Sequence, residues 1–426
     1  MNTPDAPVVR VQRCRVCGDD DWAEVHSFGL MPLANDFVDP ASDPADDERY
    51  PLEVGVCRTC RLLSLRHAVD PERLFRDYAY ETSESDTMDE HMGWVADECR
   101  RRFGLANASL VVEFGSNTGL QLRHFARLGM RVLGVDPARN LAETARANGV
   151  ETWTDFFGEE VARRVRAQHG AAGLVLARHV FAHVDDLSDV LAGLRVLLGD
   201  SGVFAFEVPY LGDLLEGLQF DTIYHEHLSY FSLHTLEYLF RRNGMRLVDA
   251  DRVHVHGGSL LVFAAPEQSG RGPSPTVADM LEHERTAGLT GAESFRNFTA
   301  GIGEAVTSLT SLVQRYTATG RTVAGYGAPA KGTTLLAACG LDSGNVSYCV
   351  DTTAAKQGRL TAGTRIPVRA PEEAGAAPPD CYLLLARTYR EEILRNEKAY
   401  LEAGGAFVDP LPRPRLITVE TLNSVT

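Results

Sequence analysis

An apolar strand that runs into a glycine-rich turn constrains the fold of this 426-residue chain most strongly. Residues 110–119 read LVVEFGSNTG, a helical pattern follows them, and a second apolar strand ends at Asp136. In such a strand, loop, helix, strand unit, the carboxylate that ends the second strand can accept both hydroxyls of a ribose. The sequence therefore predicts an α/β domain whose first loop approaches an adenosine nucleoside.

The residues of this loop narrow the class of ligand. The pattern ExGxNxG differs from the dinucleotide pattern GxGxxG, and the loop lacks the lysine of a phosphate-binding loop. It resembles motif I of the class I S-adenosylmethionine methyltransferases, which implies that the glycines let the backbone approach the methionine end of the cofactor. The predicted cofactor-binding residues are Glu113, Gly115, Asn117, Gly119, Asp136, Pro137, Asp155 and Phe156, with Phe157 also expected beside the adenine.

Two CxxC pairs lie near the start of the chain and predict a metal site. Cys14 and Cys17 form the first pair, and Cys57 and Cys60 form the second. Each pair can direct two thiolates at one tetrahedral zinc, and four thiolates leave no open position for catalysis. A redox CxxC would normally open a helix after a strand, and neither pair is placed in that way. We therefore expect a structural zinc ion.

A second strand and glycine-rich turn begin near Arg321, which predicts a second Rossmann-like unit. Its loop, GYGAPAKG at 325–332, can cradle a phosphate through backbone N–H groups, and Lys331 adds charge. Gly327 and Lys331 are therefore candidate substrate contacts, although a tight turn without a ligand remains an alternative. We expect an N-terminal module at 1–84, a central domain at 85–285 and a C-terminal domain at 286–426.

Residues 221–231, DTIYHEHLSYF, concentrate groups that can move protons. An imidazole beside a carboxylate suits general acid/base catalysis near neutral pH. In an extended segment His225 and His227 share one face, whereas in a turn they diverge. Two alternatives stay open at this stage. One is an iron or zinc site shared with His254 and His256, and the other is a structural cluster of satisfied polar groups.

Charge and hydropathy exclude several classes of partner. A formal net charge of −16 argues against nucleic acid, because neutralising phosphates needs a basic surface. No stretch approaches the ~18 apolar residues of a membrane span, and the polar start MNTPDAP lacks a signal-peptide core. The sequence thus predicts a cytoplasmic protein, in which cysteines serve as thiols or metal ligands.

Several motifs, taken in their order along the chain, resemble those of one enzyme family. They are the four cysteines, YAY and SES between Tyr78 and Ser85, EFGSNTG, ARHVFAHVDD, IYHEHLSYFS, HGGS and GYGAPAKG. The chain is similar over nearly its whole length to the sugar C-methyltransferases of antibiotic deoxysugar pathways. It is most similar to those that act at C-3 of nucleotide-linked 3-amino-4-keto sugars, as on the tetronitrose and kijanose routes. The resemblance implies a zinc-binding module, a class I methyltransferase domain and a C-terminal Rossmann-like domain that helps hold the nucleotide diphosphate of a dTDP-sugar.

This resemblance also implies roles for individual residues. His227 is the candidate base, and Tyr224 is either the alternative base or the hydrogen-bond partner of an enolate oxygen. Glu226 is expected to orient the histidine, and His183 to approach the sugar from the cofactor side. The full set of implied active-site and substrate residues is Tyr78, His183, Tyr224, His225, Glu226, His227, Gly327 and Lys331.

Two other functions compete with this interpretation. A methyltransferase could act on a protein or RNA, with the zinc module as the recognition element. A non-enzymatic binding module could retain a nucleoside site for regulation, but it would leave the YHEH sequence at 224–227 and His183 unexplained. Cofactor-dependent hydrogen exchange from a keto sugar separates the three.

Overall fold

Short antiparallel strands form the N-terminal module. The computed structural model describes residues 8–76, 78, 82 and 85–422. Residues 79, 80, 83 and 84 of the YAY and SES motifs lie outside the described part of the chain. The elements of the module are β1 (Val8–Arg10), β2 (Trp22–Met31), β3 (Tyr50–Cys57), β4 (Leu63–Leu65), β5 (His67–Val69) and α1 (Pro71–Phe75).

The central domain alternates strands and helices. Its first elements are α2 (Asp86–Phe103), β6 (Leu110–Phe114), α3 (Leu120–Arg127), β7 (Arg131–Val135), α4 (Arg139–Ala147), β8 (Thr152–Trp153), α5 (Glu159–His169) and β9 (Leu174–Arg178). These are followed by α6 (Leu187–Leu198), β10 (Val203–Pro209), α7 (Leu211–Glu216), β11 (Ser229–Tyr230), α8 (Leu233–Arg242), β12 (Met245–Val253), β13 (Ser259–Pro266) and α9 (Pro275–Thr286).

The seven-stranded sheet of this domain has the order β12-β13-β10-β9-β6-β7-β8. Strands β6 to β10 are parallel, and β13 runs antiparallel to both of its neighbours. All five residues of β6 are buried, as expected for a parallel strand with helices on both faces. The order of strands reverses between β6 and β9, and ligands of such sheets bind at the carboxyl ends beside this reversal.

The C-terminal part forms a second α/β domain. Its elements are α10 (Ala292–Ala318), β14 (Val323–Tyr326), α11 (Ala330–Ala338), β15 (Cys349–Val350), β16 (Val368–Arg369), α12 (Pro371–Ala376), β17 (Cys381–Leu384), α13 (Arg390–Asn396), α14 (Lys398–Glu402), β18 (Ala406–Asp409) and β19 (Arg415–Ile417). The sheet order is β16-β15-β14-β17-β18-β19, and only β19 is antiparallel. The predicted second Rossmann-like unit, and with it the three-part α/β fold, is confirmed.

The segment that carries the YHEH sequence joins two parts of the molecule. Strand β11, which follows it, pairs with β4 and completes an antiparallel sheet of order β11-β4-β3-β2. Buried residues of this segment, Phe220 and Ile223, share a hydrophobic core with β3 and with α10 and α11. The segment therefore lies where the N-terminal module, the central domain and the C-terminal domain meet. The predicted boundaries after residues 84 and 285 stay predictions.

Helix hydropathy bears on the expectation of a protein without membrane spans. Within the described residues, none of the helices combines the length and the apolar character that crossing a bilayer requires. The longest, α10, has 27 residues and buries one stripe that includes Phe298, Ile302 and Leu309. Its pattern is that of a helix packed along one face.

Candidate active site

One cavity of about 1760 Å³ contacts all three parts of the chain. Its lining includes Asn35 of the N-terminal module, Asp136 and His227 of the central part, and Lys331 of the C-terminal domain. A single small-molecule site usually occupies roughly 300–1,000 Å³. The cavity therefore has room for two ligands at once, one at the carboxyl ends of each parallel sheet.

Tyr224 and His227 form a hydrogen-bonded pair in this cavity. The chain turns between them, because His227 N donates to the Tyr224 carbonyl at 3.0 Å. His227 Nδ1 lies 2.9 Å from the Thr222 carbonyl, and Nε2 lies 2.7 Å from the Tyr224 hydroxyl. A carbonyl only accepts, so Nδ1 carries the proton and Nε2 accepts from the tyrosine. Burial, the neighbouring His183 and the Lys331 ammonium hold the pKa of His227 well below its ordinary value.

Glu226 points to a different set of partners from those of His227. Its Oε1 accepts from Asn35 Nδ2 at 2.7 Å, and its Oε2 accepts from the Tyr78 hydroxyl. Burial raises the pKa of this carboxyl group to about 7. The carboxylate was expected to orient His227, but the Thr222 carbonyl occupies that position. Glu226 instead connects residues 221–231 to Asn35 of the N-terminal module and to Tyr78 through hydrogen bonds.

His183 lies beside His227 on the wall formed by the central domain. Their ring centroids are 5.0 Å apart, and the ring of His183 stacks on Phe75 at 5.7 Å. Its Nε2 is buried and has no hydrogen-bond partner among the described residues, and burial lowers the pKa of the ring to about 4. This neutral imidazole is therefore available to a ligand in the cavity.

The glycine-rich loop is fastened to the end of the second strand through Asp136. Backbone N–H groups of Asn117 and Ala138 donate to the two carboxylate oxygens of Asp136 at 2.8 and 2.9 Å. Gly115 has φ +62°, and a Cβ at this position would lie 2.2 Å from a methyl group of Val180. The loop thus requires glycine at this point, and Gly115, Asn117, Asp136 and Pro137 all line the cavity.

Two predicted cofactor contacts in the same motif lie outside the cavity lining. Glu113 is buried within β6, where burial raises the pKa of its carboxyl group to about 8. Gly119, with φ +79°, is the N-cap residue that directly precedes α3, and a Cβ there would lie 3.0 Å from Val150. The positive φ of Gly119 and the close approach of Val150 account for a glycine at this position. Direct cofactor contacts by these two residues stay predictions that their positions do not support.

Of the predicted cofactor contacts after β8, two line the cavity and one does not. Phe156 lines the cavity and lies under the guanidinium of Arg76, whereas Asp155 forms an ion pair with Arg164 at 3.3 Å outside the lining. Phe157 also lines the cavity and stacks on Phe114 with ring centroids 4.7 Å apart. Of the three, the two phenylalanines are placed to contact an adenine.

His225 lies on the opposite side of the turn from His227. It is buried, and its Nε2 lies 3.3 Å from the Tyr50 carbonyl, away from the residues that line the cavity. The extended geometry that would place both histidines on one face is absent, since the chain turns here. A substrate contact by His225 stays a prediction that this position does not support.

Lys331 reaches from the C-terminal domain towards the Tyr224–His227 pair. It lies in the first turn of α11, and its Nζ donates to the His256 carbonyl at 2.8 Å. Burial lowers the pKa of its ammonium, and the nearby Asp221 opposes this shift. Gly327, with φ +85°, lies in the preceding turn and also lines the cavity. Both predicted substrate contacts of this loop therefore face the shared cavity.

Arg178, Glu207 and His91 form a buried charged cluster near the ends of β9 and β10, which the sequence patterns did not predict. Arg178 Nε donates to Glu207 at 2.7 Å, and His91 contacts the other oxygen of the same carboxylate. Despite complete burial, Arg178 and His91 hold the pKa of Glu207 well below its ordinary value. The rings of His179 and His256 are in edge contact at 4.2 Å, and both residues have φ +54°. Arg178 and His179 lie at the carboxyl end of β9, beside the reversal of strand order, and this position is the signal that could have identified them.

The four cysteines of the N-terminal module come together as predicted. Their sulfurs all lie within 4.8 Å of one another, and the pairs Cys14–Cys60 and Cys17–Cys57 are each 3.4 Å apart. A tetrahedral zinc with bonds of about 2.3 Å separates its sulfurs by about 3.8 Å, so the arrangement fits this ion. Among the residues that the structure describes, no other group of three or more His, Cys, Asp or Glu side chains could hold a metal. The alternative of a histidine-bound metal at His225, His227, His254 and His256 is thus not supported.

Three families of known proteins match successive parts of this chain. A zinc binding domain family matches residues 14–75, a methyltransferase domain family matches residues 88–250, and a C-methyltransferase C-terminal domain family matches residues 254–412. C-methyltransferase NovU from Streptomyces niveus is 47% identical over 411 residues, which is 96% of this chain and 98% of that protein.

Two of the solved structures that the chain resembles each align with less than half of it. The PH0226 protein from Pyrococcus horikoshii OT3 is 16% identical, with a TM-score of 0.36 over 46% of this chain and 97% of that one. Magnesium protoporphyrin IX methyltransferase from Synechocystis PCC 6803, solved with bound SAM, is 12% identical, with a TM-score of 0.34 over 44% of this chain and 88% of that one.

Proposed function

Because the chain belongs to the C-methyltransferases, we propose that it transfers the methyl group of S-adenosylmethionine to a carbon of a nucleotide-linked keto-deoxysugar. The proposed substrate is a dTDP-linked 3-amino-4-keto sugar, methylated at C-3, of the kind used in antibiotic sugar biosynthesis. The observation that carries this proposal is the Tyr224–His227 pair, which faces His183 in a cavity shared by both α/β domains.

Carbon methylation requires a base because a C–H carbon is a poor nucleophile. A 4-ketone acidifies the hydrogen on the adjacent carbon, and removal of that proton gives an enolate that can attack an electrophilic methyl group. The enzyme must therefore supply a base, a donor for the enolate oxygen and an aligned methyl group. S-adenosylmethionine supplies the methyl group when it is bound.

His227 is the base that we assign. The hydrogen bond from Nδ1 to the Thr222 carbonyl fixes the neutral tautomer, which leaves the Nε2 lone pair towards the Tyr224 hydroxyl. A proton taken from the sugar reaches Nε2 directly, or through the hydroxyl of Tyr224. In the first case Tyr224 can turn its O–H towards the enolate oxygen. In the second it is itself the group that touches the reacting carbon.

His183 and Glu226 hold the sugar from two sides in this proposal. The buried Nε2 of His183 faces the catalytic pair from the wall that carries the cofactor loop. Glu226 and Tyr78 form a hydrogen-bonded unit that closes the cavity towards the N-terminal module. A carboxyl group with its pKa near 7 can ionise when a cationic amino sugar approaches it.

The two ends of the cavity suit two different ligands. Gly115, Asn117, Asp136 and Phe156 line the end at the central sheet, where we place the nucleoside of S-adenosylmethionine. At the opposite end, the first turn of α11 lines the cavity and carries Lys331, where we place the sugar nucleotide diphosphate. The zinc site lies outside the cavity lining and stabilises the module instead of reacting.

Replacement of Asp136 by alanine is expected to weaken S-adenosylmethionine binding by about 1–3 kcal/mol, because ribose hydroxyls and loop N–H groups lose their acceptor. Isothermal titration calorimetry measures this change. Asp249→Ala is the control, since this carboxylate pairs with Arg102 and lies outside the cavity lining. Equal affinities for Asp136→Ala and the parent protein would mean that the ribose is held elsewhere.

The proposed reaction is tested by incubating the protein with S-adenosylmethionine and a panel of dTDP-linked 4-keto sugars. A product heavier by one methyl-for-hydrogen replacement, with the new carbon located by NMR, supports C-methylation and identifies the position. Solvent deuterium entering the carbon next to the ketone in the presence of S-adenosylhomocysteine supports the enolate step. Methylation of protein or RNA, with no exchange from any keto sugar, would favour the competing substrate class.

A further inference from the structure

The zinc module carries a buried arginine that contacts the loop of His183 directly and is linked to the segment of His227 through β4. Arg15 lies inside the first CxxC turn, between Cys14 and Cys17, and only 2% of its side chain is exposed. Burying a guanidinium is costly unless its donors are paired with good geometry. Its contacts therefore indicate why a charge occupies this position.

One edge of the guanidinium contacts the loop that carries His183. Arg15 Nε donates to Asp185 Oδ1 at 2.7 Å, and Asp185 follows His183 by two residues. The carboxylate is 61% exposed, so the arginine is the buried member of the pair. The ion pair links the zinc turn to the segment after β9.

The other edge contacts the strand that holds the His227 loop. Arg15 Nη1 donates to Ser64 Oγ at 2.6 Å and to the Leu65 carbonyl at 3.0 Å. Ser64 Oγ and Leu65 N both donate to the carbonyl of Leu228, at 2.8 and 3.0 Å. Leu228 directly follows His227, so this chain of hydrogen bonds ends next to the catalytic histidine.

We propose that Arg15 is a positioning residue that sets the distance between His183 and His227, and that the zinc site serves catalysis by fixing this arginine. The inference rests on the proposed function, in which these two histidines face the reacting sugar. A guanidinium can hold two directions at once because its donors form a rigid planar fork. The zinc turn fixes the backbone of Arg15, and the fork then fixes both loops relative to it.

The test compares Arg15→Lys, Asp185→Asn and the double variant with the parent protein. The rate of deuterium incorporation at C-3 of a dTDP-linked 3-amino-4-keto-6-deoxy sugar is measured with S-adenosylhomocysteine bound. We expect each single variant to lower kcat ~10- to 100-fold, the scale of a small misplacement of reacting groups. The double variant should fall little further, since both changes break the same link. KM, zinc content and S-adenosylhomocysteine affinity should stay within about twofold of the parent values in every variant.

Arg365→Lys is the matched control. Arg365 pairs with Asp47 at 3.0 Å and joins the N-terminal module to the C-terminal domain, but it does not contact either histidine loop. The Arg365→Lys variant should incorporate deuterium into the sugar at the same rate as the parent protein. If Arg15→Lys fails to fold, Asp185→Asn carries the test, because Asp185 is mostly exposed.

Three outcomes would overturn this role. If both single variants incorporate deuterium at the parent rate, the ion pair between Arg15 and Asp185 has only a structural role, and the proposed function stands. Loss of zinc or of S-adenosylhomocysteine affinity in parallel with kcat would assign the effect to folding of the module. Absence of exchange in the parent would remove the proposed enolate step and the positioning role together.

Discussion

Replacement of His227 by asparagine is expected to lower turnover by ~10² to 10⁴-fold, the range for loss of a positioned base. The amide keeps much of the shape of the ring, and its N–H can still donate to the Thr222 carbonyl, but it cannot accept a proton at neutral pH. Zinc content, thermal stability and S-adenosylmethionine affinity should be retained. Solvent deuterium exchange with S-adenosylhomocysteine measures the proton step without methyl transfer.

The pH dependence gives a second measurement of the same step. Burial and the neighbouring His183 and Lys331 disfavour the imidazolium, so the pKa of His227 lies well below 6.5. His227 is then already neutral at pH 6.5. We therefore expect kcat/KM to fall only at pH values well below 6.5, where the imidazole becomes protonated. An acid limb that is centred above pH 6.5 would mean that a different group must lose its proton.

Comparison with Tyr224→Phe assigns the roles within the pair. If Tyr224 only donates to the enolate oxygen, its loss should cost less than the loss of His227, and if it removes the proton, the order should reverse. His169→Asn, which changes a histidine near Glu151 outside the cavity lining, is the control and should exchange like the parent. Parent-like exchange by His227→Asn would transfer the role of base to Tyr224.

The sequence predicted those parts of the molecule whose structure depends on residues close together in the chain. The strand and glycine-rich turn before Asp136 needs only neighbouring residues to form, and each CxxC turn directs its own two sulfurs. Parallel strands buried on both faces have continuous apolar sequences, so both α/β domains could be recognised before their sheets were known. The glycine-rich end of the cavity and the four-cysteine site could therefore be predicted from the sequence.

Contacts between distant residues set the rest of the site. The turn at Tyr224 separates His225 from His227, and a period-two pattern could not indicate this turn. Glu226 accepts a hydrogen bond from Asn35, which lies 191 positions away in the sequence, and Lys331 donates one to the carbonyl of His256. Such pairs depend on how the three parts pack together. No spacing within one segment encodes that arrangement.

The zinc site should determine whether the N-terminal module folds at all. Structural zinc contributes an apparent ~10–16 kcal/mol in small zinc domains, because the ligands do not gather in the unfolded chain. Here the four cysteines also belong to a buried cluster with Phe231 and Leu236 of the central part. Simultaneous Cys14→Ser and Cys57→Ser changes should therefore abolish zinc binding, expose this cluster and abolish turnover.

Metal analysis, thermal unfolding and hydrogen exchange of the backbone measure these effects in the full chain. Cys99→Ser is the control for cysteine loss, since this buried thiol lies in α2 away from the four ligands and its variant should keep one zinc per chain. The central sheet has its own buried strands, so protection of β6 and β9 should outlast that of β3 and β4 in the zinc-free variant. Because β4 hydrogen-bonds the residue after His227, the exchange reaction of the keto sugar should be lost together with the module. A zinc-free variant that retains a folded module and parent-like exchange would contradict the structural role of the metal.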